Sequence, residues 1–257
     1  MKINLLALIY FISLLVRLNS NCITSSTARV ALGDFYELTN GNGWIWKPND
    51  VKWFQDSAPD PCLDKWAGVN CTIDCNISSL KISSRNLKGK ISDKMADIGN
   101  LVNVDLSLNS LTGTIPKSLF SISTLLELNL TSNKLTGSLP LMSSLKSLQK
   151  MDITSNKLNS TLPSDITSLA ELNYFRVRGN QLSGSLPFDI GNLQKLQYWS
   201  TRGNLMTNTI PSSLVKLTKI QTIGFLNNFH NGSIPHDIGL LTNLINFAVS
   251  NNKLTGS

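Results

Sequence analysis

The chain has 257 residues, 41 % of them hydrophobic and 15 % charged, with a formal net charge of +7. Length alone suggests one or two domains, and the composition is that of an ordinary folded protein. The positive charge suits acidic partners such as polyanionic glycans. It comes without the base-stacking or base-reading groups that nucleic acid requires, so nucleic acid is excluded as a partner.

Lys2 precedes a largely apolar run over residues 3–16. Fourteen residues are too few for a membrane span of about 20, but they fit the core of a secretory signal peptide. We assign residues 1–21 to it, with cleavage between about residues 19 and 23. Removing Lys2 and Arg17 lowers the net charge from +7 to +5. No second apolar run reaches 18 residues, so no other membrane segment is expected in this chain.

Residues 22–75 read as a cap. Residues 25–39 predict one short helix, with Ser25, Ser26 or Thr27 available to accept its first N–H groups. Ala28, Ala31, Leu32, Phe35 and Leu38 share its apolar face. Asn40-Gly41-Asn42-Gly43 ends the helix. Trp44, Trp46, Trp53, Phe54 and Trp66 then crowd a short stretch. They could form a sugar platform, but a plug for the open end of a stacked array is the expected role. Cysteines in a secreted chain read as disulfides. Cys62–Cys71 is favoured, which leaves Cys75 with Cys22 as its other candidate; four cysteines allow three pairings.

From residue 76 to 257 one phrase recurs about eight times. It begins at Leu101 and returns at Leu125, Leu148, Leu172, Leu196, Ile220 and Leu244. Its asparagines, from Asn109 through Asn133, Asn156, Asn180, Asn204 and Asn228 to Asn252, are 24 residues apart, or 23 in one copy. Within each copy apolar residues alternate, as in Val104 and Leu106, which predicts a strand with one buried face and a parallel sheet of stacked strands. A polar residue recurring among core leucines must be hydrogen-bonded, so the asparagines predict a structural ladder. Gly113, Gly137, Gly184, Gly232 and Gly256 mark a slot needing an unusual backbone angle, and Ser160 and Asn208 fill it twice. Prolines such as Pro116 and Pro187 stop strand pairing on the outer side. The final copy stops at Ser257 before its proline, with no polar cap, which predicts a fragment of a longer array.

The phrase L-x-x-L-x-L-x-x-N-x-L-x-G-x-I-P, clearest at residues 101–122, closely resembles the plant-type leucine-rich repeat family. Residues 40–44 (N-G-N-G-W) and Cys62, Trp66-Ala67-Gly68-Val69 and Cys71 resemble that family's N-terminal cap. The resemblance implies an α/β solenoid: a right-handed superhelix with a parallel concave sheet, 3-10 turns on the convex side and a disulfide cap. It implies an extracellular or cell-surface module that binds a peptide, protein or glycan. The alternatives it implies are an inhibitor of a secreted hydrolase, or part of the ectodomain of a receptor-like kinase with a downstream membrane anchor. Arg85 in an asparagine slot, Ser92 in a proline slot and the additional Cys75 depart from the pattern.

The strand positions between buried residues line the concave face. Superposing copies gathers Tyr174, Arg176, Arg178, Tyr198 and Arg202 into a basic, aromatic patch, preceded by an acidic strip of Asp105, Glu127 and Asp152. Arginine forks suit carboxylates and tyrosines supply rigid contact area. Arg176-Val177-Arg178 resembles the R-x-R pair with which some peptide-hormone receptor kinases hold a terminal carboxylate. The competing reading is a solvent face in which the arginines answer Asp152 and Glu127. Glycosylation sequons stand at Asn70, Asn76, Asn129, Asn159 and Asn231, and Asn129 falls on the concave face.

No enzymatic activity is expected, and no cofactor. His230 and His236 are the only histidines, and His230 stands where most copies have leucine, the mark of a tolerated core substitution. Asp105 and Asp152 lie two rungs apart, roughly 10 Å at strand spacing, without the shared pocket of paired-carboxylate chemistry.

Overall fold

The computed structural model describes residues 23–55 and 59–256. The signal-peptide assignment, its cleavage site and Cys22 lie outside the described residues. Helix α1 (Ser26–Leu38) begins where Ser25 accepts the Ala28 N–H at 3.1 Å. Ala28, Ala31, Leu32 and Phe35 are buried as predicted, but Leu38 is 44 % exposed. It is the last helical residue, and the chain turns away at Thr39, whose hydroxyl donates to the Phe35 carbonyl at 2.7 Å. The tryptophans form a plug. Trp44, Trp53 and Trp66 are buried, with Trp53 5.5 Å from Trp66 and 4.9 Å from Trp44. Their polar edges are satisfied internally: Trp44 Nε1 donates to the Thr39 carbonyl at 3.1 Å and Trp53 Nε1 to the Ala67 carbonyl at 2.9 Å.

Strand β1 (Val69–Cys71) closes the cap. Each repeat then gives one concave and one flank strand: β2 (Ile77–Lys81) and β3 (Lys88–Lys90); β4 (Asn103–Asp105) and β5 (Ser110–Thr112); β6 (Glu127–Asn129) and β7 (Thr136–Gly137); β8 (Lys150–Asp152) and β9 (Lys157–Thr161). The second half continues with β10 (Tyr174–Arg176) and β11 (Gln181–Gly184); β12 (Tyr198–Ser200) and β13 (Leu205–Met206); β14 (Thr222–Gly224) and β15 (Asn231–Gly232); β16 (Asn246–Ala248) and β17 (Lys253–Leu254). The even-numbered strands form one parallel concave sheet, with β1 antiparallel to β2 at its start. The odd-numbered strands from β3 onward form shorter parallel ladders on the flank. Register is one residue per repeat: Asp105, Asn129, Asp152, Arg176, Ser200, Gly224 and Ala248 stand side by side. The inward leucine, isoleucine and phenylalanine rows form one continuous core from α1 to the last repeats.

The asparagine ladder holds successive turns together. Asn133 Oδ1 accepts the Leu111 N–H at 3.0 Å, while its Nδ2 donates to the Leu106 and Leu130 carbonyls at 3.0 and 3.1 Å. The same bonds recur at Asn156, Asn180, Asn204 and Asn228. The glycine slot is left-handed throughout, and Ser160 (φ 89°) and Asn208 (φ 63°) adopt that conformation too. At Gly184 a side chain would also meet Thr161 Cγ2 at 2.7 Å.

Two of the three departures from the repeat pattern, Arg85 and Ser92, are joints to the cap. The Arg85 main chain still donates to Asn109 Oδ1 at 3.0 Å, but its guanidinium turns out to pair with Asp50 and donates to the Ile45 carbonyl at 3.2 Å. Ser92 Oγ donates to Asp34 on α1 and accepts the Lys94 N–H at 3.0 Å. Cys62 and Cys71 are disulfide-bonded; Cys75 is also disulfide-bonded, and Cys22, its candidate partner, is among the undescribed residues. The 23-residue copy has no 3-10 turn on its convex side. Asp165 of the next repeat fills the gap by accepting the Met142 and Ser143 N–H groups, both at 2.7 Å.

Candidate recognition surface

The concave face changes character along its length, and hydrogen bonding is the cause. Through β4, β6 and β8 the last strand position serves the fold. Asp105 accepts the Ser107 N–H at 3.0 Å, Asn129 the Thr131 N–H at 3.1 Å and Asp152 the Thr154 N–H at 3.0 Å. The acidic strip is therefore partly spent. Glu127 pairs with Lys150 at 2.8 Å, and Asp152 with Arg176 at 3.3 Å. The paired-carboxylate geometry fails as expected, since Asn129 stands between Asp105 and Asp152.

At β10 and β12 the parallel register stacks Tyr174 on Tyr198, with ring centroids 4.6 Å apart and planes 20° from parallel. Arg176 lies against both, donating to the Tyr174 hydroxyl at 3.0 Å and standing 5.8 Å from the Tyr198 ring centre. Burial pushes the Tyr174 phenol above its ordinary value. Burial opposes the Arg176 charge, but Tyr174 and Asp152 outweigh it and hold the guanidinium in its charged form. Arg176 is thus already engaged, as the competing reading holds for this residue, while Glu127 is answered by Lys150 rather than by an arginine.

Arg178 and Arg202 differ. Each projects from the rung after its strand, one repeat apart, and neither has an ion pair among the described residues. They line a recess of about 310 Å³ with Arg176, Thr154, Ser155, Gly179 and Gly203. A second recess of about 270 Å³ continues across Tyr198, Arg202, Gly224, Leu226 and Ala248. The two glycines were not singled out from sequence, although the signal was there. Gly179 (φ 60°) and Gly203 (φ 67°) occupy the left-handed slot before the ladder asparagine, where other copies carry Leu108, Ser132, Ser155, Asn227 or Asn251. Losing the side chain there opens the floor beside the two arginines.

Of the sequon asparagines, Asn70, Asn76, Asn159 and Asn231 are exposed and Asn129 is half-buried. His230 is fully buried, with its ring 5.4 Å from Phe225 and Nδ1 3.2 Å from the Asn208 carbonyl. Among the described residues no group of three or more His, Cys, Asp or Glu side chains could hold a metal ion, and no helix is long and apolar enough to cross a membrane.

The stacked parallel strands, the asparagine ladder and the capped first turn define a leucine-rich repeat solenoid. The Leucine Rich Repeat family profile matches residues 100–122, 147–169 and 171–193. The chain is 28 % identical over 78 residues to a probable leucine-rich repeat receptor-like protein kinase of Arabidopsis thaliana, a match covering 27 % of this chain and 8 % of that one. Its fold superposes on the PEPR1–AtPEP1 crystal structure with a TM-score of 0.80 and 26 % identity, over 91 % of this chain and 33 % of the other. The plant peptide hormone receptor RGFR1 in complex with RGF2 matches with a TM-score of 0.57 and 27 % identity, over 65 % of this chain and 31 % of the receptor. The chain thus carries leucine-rich repeats, and its fold is that of plant leucine-rich repeat receptor ectodomains. It spans about a third or less of the length of these relatives.

Proposed function

We propose that the chain is a non-catalytic recognition module of the extracellular space or cell surface. It holds a peptide, protein or glycan partner on its concave face and grips an acidic group of that partner with Arg178 and Arg202. The observation that carries this reading is the pair of guanidiniums, one repeat apart, unmatched by any acid beside a recess of about 310 Å³. Arginine presents its donors in a fork that suits carboxylates and other oxyanions. The roles within the patch divide. Tyr174, Tyr198 and Arg176 form a braced wall, and Arg178 and Arg202 are the contact cations. The R-x-R reading is modified accordingly, because Arg176 is held by Asp152 and Tyr174. The similarity to a plant peptide hormone receptor supports a peptide as the partner class.

Selection of binders from an acidic peptide display library on the glycosylated chain tests this. Arg178→Ala together with Arg202→Ala should weaken the selected peptides by about 2 kcal/mol or more, roughly thirty-fold. Selected peptides that bind the double variant with unchanged affinity would overturn the assignment.

A further inference from the structure

A second charged surface lies on the flank, away from the concave recess. Lys88 and Lys90 stand on β3, Lys134 just ahead of β7 and Lys157 on β9, and all four are exposed. They span four successive turns, the second of which carries Ser110 and Thr112 in place of lysine. Lys88 aligns with Ser110, the Lys134 N–H donates to the Leu111 carbonyl at 2.8 Å, and the Lys157 N–H donates to the Leu135 carbonyl at 2.8 Å. At about 4.8 Å per strand the row from Lys88 to Lys157 extends roughly 15 Å.

What sets this row apart is the missing counter-charge. Elsewhere the solenoid answers cations with acids one repeat earlier: Lys150 with Glu127, Arg176 with Asp152 and Lys195 with Glu171. The same stacking is available on the flank, yet residues 84–91, 107–115, 131–139 and 154–162 contain no Asp or Glu. The bordering acids are Glu37 near the end of α1 and Asp93, which shares a recess with Thr114 and Ser138, and among the described residues none of the four lysines has an ion pair. Between the lysines the surface is hydroxylated. Thr112 and Thr136 donate inward to the Gly89 and Gly113 carbonyls at 3.1 and 3.3 Å, so their remaining lone pairs face solvent as acceptors. Thr114 and Ser138 are exposed beside them.

We propose that this flank strip binds a linear acidic polysaccharide. Ammonium groups along a row of roughly 15 Å match a polymer carrying one carboxylate or sulfate per sugar, and the threonine oxygens accept from sugar hydroxyls. Strands β3, β5, β7 and β9 expose no large apolar side chain that could enter a lipid surface or stack on a base. The exposed Asn159 sequon bounds the strip toward the later repeats.

The test uses the full secreted glycoprotein and polygalacturonate as probe, with heparin as a sulfated comparison. The parent should bind at low ionic strength and release as salt rises. Combined Lys88→Ser, Lys90→Ser, Lys134→Ser and Lys157→Ser should weaken binding by about tenfold or more. The same change at Lys47, Lys146, Lys216 and Lys219 should have a smaller effect. Circular dichroism confirms that each variant is folded. Equal losses in the two lysine quadruples would reduce the effect to net charge and overturn the site. Unchanged binding of the flank quadruple would overturn it too. So would flank-dependent binding to phosphatidylserine vesicles with none to polygalacturonate.

Discussion

Replacing Asn180 by alanine tests the ladder most directly, because its bonds can be counted one at a time. Asn180 Oδ1 accepts the Leu158 N–H at 3.0 Å, and its Nδ2 donates to the Ile153 carbonyl at 3.0 Å and the Val177 carbonyl at 3.1 Å. Counting three orphaned groups would give a loss of up to about 9 kcal/mol at the upper cost of a buried unmade bond. The structure argues for much less, because the carbonyls are shared. Ile153 also accepts from Asn156 at 3.3 Å, and Val177 from Asn204 at 2.9 Å. Only the Leu158 N–H is left without its acceptor, at about 1–3 kcal/mol, with about 0.5 kcal/mol for each weakened carbonyl. The expected destabilisation is about 2–4 kcal/mol. Hydrogen exchange should locate it, with the Leu158 amide losing protection first and the cap least affected, since a solenoid transmits such losses only between neighbouring turns. An unchanged Leu158 exchange rate, or a urea transition shifted by less than about 0.5 kcal/mol, would refute the account of the ladder.

The joints to the cap and the irregular turn make further predictions. Asp50→Ala leaves the Arg85 guanidinium, only 10 % exposed, without its acid, and should cost about 3 kcal/mol with increased exchange confined to the cap and first repeat. Asp165→Ala orphans the Met142 and Ser143 N–H groups at the rim of the short repeat and should cost about 1–3 kcal/mol, read from urea midpoints. Burial holds the His230 imidazole below its ordinary value, the bond to the Asn208 carbonyl only partly opposing it. A folded value depressed below the unfolded one makes His230 favour the fold fully above the unfolded pKa of about 6.5, and that contribution fades as pH falls from there toward the folded value. His230→Leu should therefore remove part of the acid sensitivity of the later repeats; exchange at Met206 and Lys253 that responds equally to pH 7.5 and 5.5 in both proteins would contradict this.

Most of the fold was legible because each repeat states the same solution again. Alternating apolar residues, the asparagine and the glycine each answer one backbone or packing requirement at one place in the turn, so their period fixes register as well as fold. What escaped the sequence were contacts made only once. Nothing in the spacing showed that Arg85 would reach out to Asp50, that Asp165 would cover a missing residue in the preceding turn, or that Leu38 would fall beyond the buried face of α1. The five patch residues were found by superposing copies. Their division into a braced wall and two unmatched cations was not, because it depends on which guanidinium reaches Asp152 and Tyr174 across the register.

That division has a physical origin in the repeat itself. Through β4, β6 and β8 the last strand position carries Asp105, Asn129 and Asp152, whose side chains accept a backbone N–H two residues on. A residue committed in this way adds to the turn and has less to offer a partner. From β12 onward the position holds Ser200, whose hydroxyl only reaches the Arg202 N–H at 3.5 Å and donates to the Gly224 carbonyl at 3.2 Å, and then Gly224 and Ala248, which carry no polar side chain. The rung beside it is then unobstructed, and Arg178 and Arg202 flank a surface low enough for another chain to lie against. On the proposed reading, a concave sheet that spends its acidic side chains internally at one end, and leaves Arg178 and Arg202 without ion pairs among the described residues at the other, directs recognition to the second end without any change in the backbone.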